Sequence, residues 1–318
     1  MGIRTWVALC CAALALGCGS DDSSDAKGGT GGASGAGGSG GNGGSGGPST
    51  NGGSGGSGGS SASGGSGASG GSGTCVQATQ LWTEDFETND YSRWTGQDYG
   101  NDWKNGFCHA NGFSSDQAVS PTHSHRSEIT CASDESHRGY GGLQFDGDSV
   151  LPAYTNQGSG IDAPNGVVNT FHSWLEAPYA FENGRWFSFW TTNNDCGWND
   201  DVITLGLEDP SNVLTPAHIK NTGGTVTFVN NPPSFPMGQW VRITIYINYV
   251  TGAMAIWQDG QKLLDATFSR SDTDICQWHW GAYASQDNTD VVLYEDDNSI
   301  WKLDEPLTDL DTEPAFCP

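Results

Sequence analysis

The stretch QWHWGAYASQ, Gln277 to Gln286, sets two tryptophans, a histidine and a tyrosine almost side by side. In an extended strand, successive side chains point to opposite faces. Trp278, Trp280, Ala282 and Ala284 then share one face. Gln277, His279, Tyr283 and Ser285 share the other, and Gly281 leaves a gap between His279 and Tyr283. A core strand needs only the first set. The second carries an imidazole and a phenol, groups that move protons. Two further segments show the same parity: Arg126 with Glu128 in HRSEI, and His218 with Lys220 in PAHIKN. The chemistry suited to such groups is β-elimination from a uronic-acid polysaccharide. There Arg, Gln or Asn neutralises the carboxylate, and His or Tyr takes the C5 proton and protonates the leaving oxygen. Any half-exposed antiparallel strand also carries Arg, Lys, His and Tyr on its wet face, so parity alone does not decide.

Hydrolysis of a glycoside needs two carboxyl groups flanking one bond. No Glu-x-Asp-x-Glu motif occurs, and the acidic clusters EDFE (Glu84 to Glu87) and YEDD (Tyr294 to Asp297) lie near the ends of the folded part. If the terminal strands pair, Asp85, Glu87, Asp296 and Asp297 become neighbours. Clustered carboxylates with main-chain carbonyls suit a hard cation, and calcium is its natural identity outside the cell. The elimination itself requires no cofactor.

The elements that must position these groups are strands. LWTEDFET, GGLQFDG, RWFSFWTT, DVITLGLED, PAHIKN, GTVTFVN, QWVRITIYIN, AMAIWQDG and QKLLDATF follow one another between Gly, Asn, Asp and Pro. Gln157 to Asn169 reads as a loop. Helical periodicity is nearly absent, so the fold class is all-β: an antiparallel β-sandwich that follows a Gly/Ser linker. Three segments divide the chain. Residues 1–17 have a positive residue, Arg4, then an apolar run too short to span a bilayer, as in a signal peptide. Residues 18–74 form a Gly/Ser-rich tether that cannot bury a core. Residues 75–318 hold every tryptophan except Trp6 and six of the nine cysteines. Exported cysteines in even number read as disulfides. Cys75 with Cys317 would tie the ends of the domain, with Cys108–Cys131 and Cys196–Cys276 following. Many other connectivities remain open. The formal net charge of −25 excludes a nucleic-acid partner and opposes a polyanion unless the site is locally basic.

The run QW.R.TIYIN, a short turn, IWQDGQ, WGAY and LYEDDNSIW resembles the concanavalin A-like jelly roll of lectins, glucanases and polysaccharide lyases. That resemblance implies a jelly roll whose first and last strands lie together, which EDFE at the start fits. HRSEI is similar to the Arg-Ser/Thr-Glu-Leu motif of jelly-roll alginate lyases, implying Arg126 at the substrate carboxylate and Glu128 as its orienter. WHWGAYASQ is similar to their Lys-Ala-Gly-x-Tyr-x-Gln motif. It implies Tyr283 as the proton-transferring residue, with Gln286 one position later than the family's glutamine. The family's Gln-Ile-His motif has no direct counterpart; VITLGL takes its place and His218 in PAHIKN lies nearby. Ala15-Leu16-Gly17-Cys18 resembles a bacterial lipobox. This implies lipidation of Cys18 and anchoring to the outer membrane, the domain facing the exterior or the periplasm; a monomer is expected.

The expected function is therefore a surface-tethered protein acting on polysaccharide. The enzyme reading is a lyase that uses Tyr283, His218 or His279, and Arg126, with Glu128, Lys220, Gln277 and Gln286 binding substrate. The alternative is a non-catalytic carbohydrate-binding or adhesion module, and hydrolysis ranks below both.

Overall fold

A computed structural model describes residues 75–90, 108–134, 136–152, 158–176, 186–196, 201–208, 212–220, 224–228, 233–270 and 273–317. The signal segment, Cys18 and the tether lie outside the described residues, as do Trp94, Trp103 and Trp198. No helix among the described residues is long and apolar enough to cross a membrane.

The strands are β1 (Ala78–Glu84), β2 (His109–Ser114), β3 (Ser124–Ile129), β4 (His137–Asp146), β5 (Ser149–Pro152), β6 (Val167–Leu175), β7 (Phe187–Asn193) and β8 (Val202–Glu208). They continue with β9 (Val213–Ile219), β10 (Thr225–Thr227), β11 (Val241–Asn248), β12 (Ala253–Gln258), β13 (Gln261–Thr267), β14 (Gln277–Ala284) and β15 (Val291–Leu303). They form two antiparallel sheets packed as a jelly-roll sandwich. The back sheet runs β13-β12-β11-β6-β15-β3-β2 and the front sheet β10-β9-β8-β7-β14-β4-β5. β15 is long enough to pair twice along one edge. Its first half meets β3 and its second half meets β1, with Glu84 opposite Asn298. The first and last strands are thus neighbours, as expected. The three disulfides pair as expected too, with Cα–Cα separations of 4.9, 4.9 and 5.1 Å.

The meander β11-β12-β13 matches its sequence pattern: Ile243, Ile245 and Ile247 point inward and are fully buried. The loop expected over Gln157 to Asn169 ends earlier than the sequence suggested, because β6 begins at Val167 and lies at the centre of the back sheet. Its inner face reads Val167, Asn169, Phe171, Ser173, Leu175, so polar residues interrupt the apolar alternation. Asn169 is satisfied in full. Its Nδ2 donates to Asn298 Oδ1 at 2.7 Å and to the Ser299 carbonyl at 2.8 Å. Its Oδ1 accepts the indole N–H of Trp190 at 2.7 Å and that of Trp278 at 2.9 Å. All four hydrogen-bonding positions of one amide are used, and they join the two sheets across the core.

The back sheet is covered on its outer side by the C-terminal segment. Phe316 stacks on Trp301 at 4.5 Å, while Leu307 and Leu310 pack against Val168, Tyr246, Ala255 and Trp257. Glu313 accepts from Arg242 and from Thr244.

Replacing the Asn169 amide would strand two buried indole N–H groups, each at about 1–3 kcal/mol. Asn169→Leu is therefore expected to lose about 2–6 kcal/mol in chemical denaturation. A loss below about 1 kcal/mol would show that the indoles find other acceptors.

Candidate functional site

β14 is an interior strand of the front sheet, between β4 and β7. Its inner set, Trp278, Trp280, Ala282 and Ala284, is fully buried. Its outer set faces away from the core. In register with it, β4 places Arg138 opposite Tyr283 and Gly142 opposite His279, with Tyr140 opposite Gly281. On the other side β7 places Thr191 opposite His279 and Ser188 opposite Tyr283. One face thus gathers an imidazole, two phenols, a guanidinium and several hydroxyls.

The rings lock together. Tyr140 stacks on His279 at 4.7 Å with a 24° interplanar angle. Tyr283 meets Tyr140 edge-on at 5.5 Å and Trp186 at 4.7 Å. Gly142 makes room for the imidazole, since a Cβ there would stand 2.4 Å from His279 Cδ2. The Ser188 and Thr204 hydroxyls bond at 2.6 Å beside Tyr283. His279 is only 6 % exposed. Burial, helped by the positive charge of Arg138, pushes its pKa down to about 3. The imidazole is therefore neutral across the physiological range.

The structure does not bring the other expected residues to Tyr283. Arg126 and Glu128 lie on β3 in the back sheet, on the outer face, and pair with each other. Burial and Arg126 compete over the phenol of Tyr294 beside them, and burial wins, raising its pKa. His218 is in the front sheet, but its parity matches Ile203 and Leu214, so it points into the core. There its Nε2 lies 3.1 Å from Asp201 Oδ1 and its ring packs against Phe268. Burial lowers its pKa although Asp201 opposes the shift. Lys220 follows β9, where its main chain bonds Gly224. Gln277 is buried and donates to the Cys196 carbonyl. Gln286 lies beyond β14 and uses its carbonyl to hold Ser133 and His137. Of the expected set, His279 and Tyr283 stand together. Arg138 and Tyr140, which sequence reasoning missed, complete the face. Their signal was the alternation Arg-Gly-Tyr-Gly in RGYGGLQF.

The acidic ends meet as expected, but unevenly. Asp296 accepts from the amides of Val119 at 2.7 Å and Ser120 at 3.1 Å. The Ser120 hydroxyl lies 3.2 Å from Asp296 Oδ1, 3.2 Å from the Asp85 carbonyl and 3.5 Å from Glu87 Oε1. A hydroxyl has one proton, so it satisfies one of these three acceptors. Bonds from Thr122 and His123 hold Glu87 near pKa 2, whereas burial lifts Asp296 to about 6. Asp297 turns away to His172 at 3.8 Å. Among the described residues no three His, Cys, Asp or Glu side chains gather closely enough to hold a metal ion by themselves.

No protein-family model matches the chain, and no curated protein matches it. Several solved structures are similar in fold. An endo-β-1,4-glucuronan lyase from the fungus Trichoderma reesei is 14% identical, with a TM-score of 0.49 over 74% of this chain and 100% of that one. The cellulose-induced protein Cip1 is 13% identical, with a TM-score of 0.48 over the same shares. A Bacillus licheniformis β-glucanase is 13% identical, with a TM-score of 0.42 over 71% of this chain and 98% of that one.

The low pKa of His279 has a consequence for stability. The group titrates at about 3 when folded and at 6.5 when free. Between those values the unfolded chain binds more protons, so stability is present above pH 6.5 and is lost as pH falls towards 3. From about pH 7.5 to about pH 5, the native chain is expected to lose about 2 kcal/mol more than His279→Asn. Equal losses by chemical denaturation would show that the imidazole titrates normally.

Proposed function

We propose that the outer face of the front sheet binds a uronic-acid polysaccharide and cleaves it by β-elimination. The observation that supports this is the convergence of Arg138, His279 and Tyr283 on that one face, with Tyr140 packed between them. Arg138 neutralises the carboxylate at C5 of the sugar and so stabilises the enolate-like charge that develops there. His279, neutral when the site is empty, takes the C5 proton. Tyr283 gives its proton to the leaving O4 as the C4–O4 bond breaks and the C4=C5 double bond forms. The two groups then exchange the proton through solvent to reset the site. Burial is the main cause of the low basicity of His279, and the sugar carboxylate cancels only the smaller part that comes from Arg138. Arg138 supplies the local positive charge that an acidic chain needs to hold a polyanion.

A second reading is a binding module on the same face, with Trp186 and Tyr283 as the stacking platform. The near-complete burial of His279 favours it. The test is ultraviolet absorbance of the unsaturated uronate product across a panel of uronic-acid polymers. The lyase reading expects a rise with the native chain and, because the general acid is removed, at least about 100-fold less with Tyr283→Phe at unchanged melting temperature. No rise, together with retention on insoluble polysaccharide, would establish the binding reading instead.

We also propose a structural calcium ion held by the Asp85 carbonyl, the Ser120 hydroxyl, Glu87 and Asp296. All are hard oxygen ligands, and the crowding of three acceptors around Ser120 supports it. Excess chelator is expected to lower the melting temperature by several degrees. An unchanged value would remove the ion. Export and outer-membrane anchoring, implied by the lipobox at Cys18, and a monomeric state belong to the same proposal.

A further inference from the structure

The strand that carries His279 and Tyr283 is not regular. Between Trp280 and Tyr283, β14 runs three positions while β7 runs two, from Trp190 to Ser188. The extra residue is a β-bulge, and such bulges re-aim side chains. Gly281 sits in it with φ 102°, and a Cβ there would stand 2.9 Å from the Gly139 carbonyl, from His125 Cε1 and from Tyr140 Cα. The bulge turns main-chain amides inward, away from the front sheet. The Ala282 N–H donates to Ser127 Oγ on β3 at 3.0 Å. The Glu295 carboxyl on β15 lies behind it, with neither oxygen in a well-formed hydrogen bond. Ser127 and Glu295 belong to the back sheet, are wholly buried, and flank His125, whose Nδ1 lies 4.0 Å from Glu295 Oε2. Burial pushes Glu295 well above the usual carboxylate range and His125 down to about 3. An apolar core would cost less than these buried polar groups. They occur where the catalytic strand has to be bent.

We infer that Ser127 is a positioning residue: across the core its hydroxyl holds the inward-turned amide of Ala282, and thereby fixes the spacing of His279 and Tyr283. The catalytic part of this inference rests on the lyase reading; the clamp itself does not. A misplacement on the order of 1 Å at a reacting group costs about 100-fold.

The test uses the full chain with Ser127→Ala and Ser127→Thr. The second keeps a hydroxyl as acceptor for Ala282. Amide hydrogen exchange is measured at Ala282 alongside kcat and KM on the cleaved polymer. Ser127→Ala is expected to speed exchange at this amide at least about ten-fold. It should lower kcat about 10- to 100-fold with KM within about two-fold. Ser127→Thr should restore most of both. Unchanged exchange in Ser127→Ala overturns the clamp. Faster exchange with unchanged kcat overturns its part in catalysis. A native chain inert on every polymer overturns the lyase reading, and exchange then still decides whether the clamp exists.

Discussion

The sandwich depends on one amide. Asn169 reaches from the centre of the back sheet and accepts the indoles of Trp190 and Trp278 from the two middle strands of the front sheet. Its own donors are taken up by Asn298 and Ser299 on β15. A core joined only by apolar contact tolerates sliding at modest cost, because dispersion and burial are not directional. A fully used amide does not, since any shift strands a buried donor. This bond therefore sets the register of β14 and β7 against β6, and through them the positions of every group on the outer face of the front sheet.

The site follows from that constraint. β14 spends its inner parity on tryptophans that need the Asn169 acceptor and fill the core, so only its outer parity is free for chemistry. Glycine is then required twice. At 142 it leaves a floor for the imidazole, and at 281 it lets the strand bulge. The ends of the sandwich divide the remaining surface: the C-terminal segment covers part of the back sheet, with Glu313 drawn to Arg242 and Thr244. The front sheet keeps Arg138 beside Tyr283, where a carboxylate can meet it.

What was legible from the residues was whatever obeyed a period of two. QWHWGAYASQ separated into core and site by parity, and the β11–β13 meander did the same. β6 escaped because Asn169 and Ser173 occupy inward positions while Val168 and Trp174 point outward, so the apolar alternation that marks a strand is blurred by the residue that matters most. Arg126 was misjudged for a different reason. A short motif reports a strand and a face of that strand, but not which of two sheets the strand joins, and β3 joined the back one. His218 failed by parity, since its register with Ile203 turns it inward against Phe268. Arg138 was missed although its Arg-Gly-Tyr-Gly alternation is as clear as that of β14. Glycine removes the apolar half of the pattern, and at Gly139 a Cβ would stand 2.7 Å from the Ala110 carbonyl of β2 and 3.2 Å from the Glu128 carbonyl of β3.

On the proposed lyase reading, the electrostatics of the site couple recognition to reactivity. An isolated imidazole buried beside a guanidinium is a poor base, because both desolvation and charge disfavour its protonated form. That makes the empty site chemically quiet, with no proton to lose or gain over the physiological range. A bound carboxylate changes one of the two terms: it pairs with Arg138 and places a negative charge within reach of His279. Burial remains, and in a water-poor pocket the same burial magnifies the new attraction. On that reading the guanidinium that meets a uronate is also the charge that adds to the effect of burial on the imidazole, and a neutral sugar on the same aromatic rings leaves that charge in place.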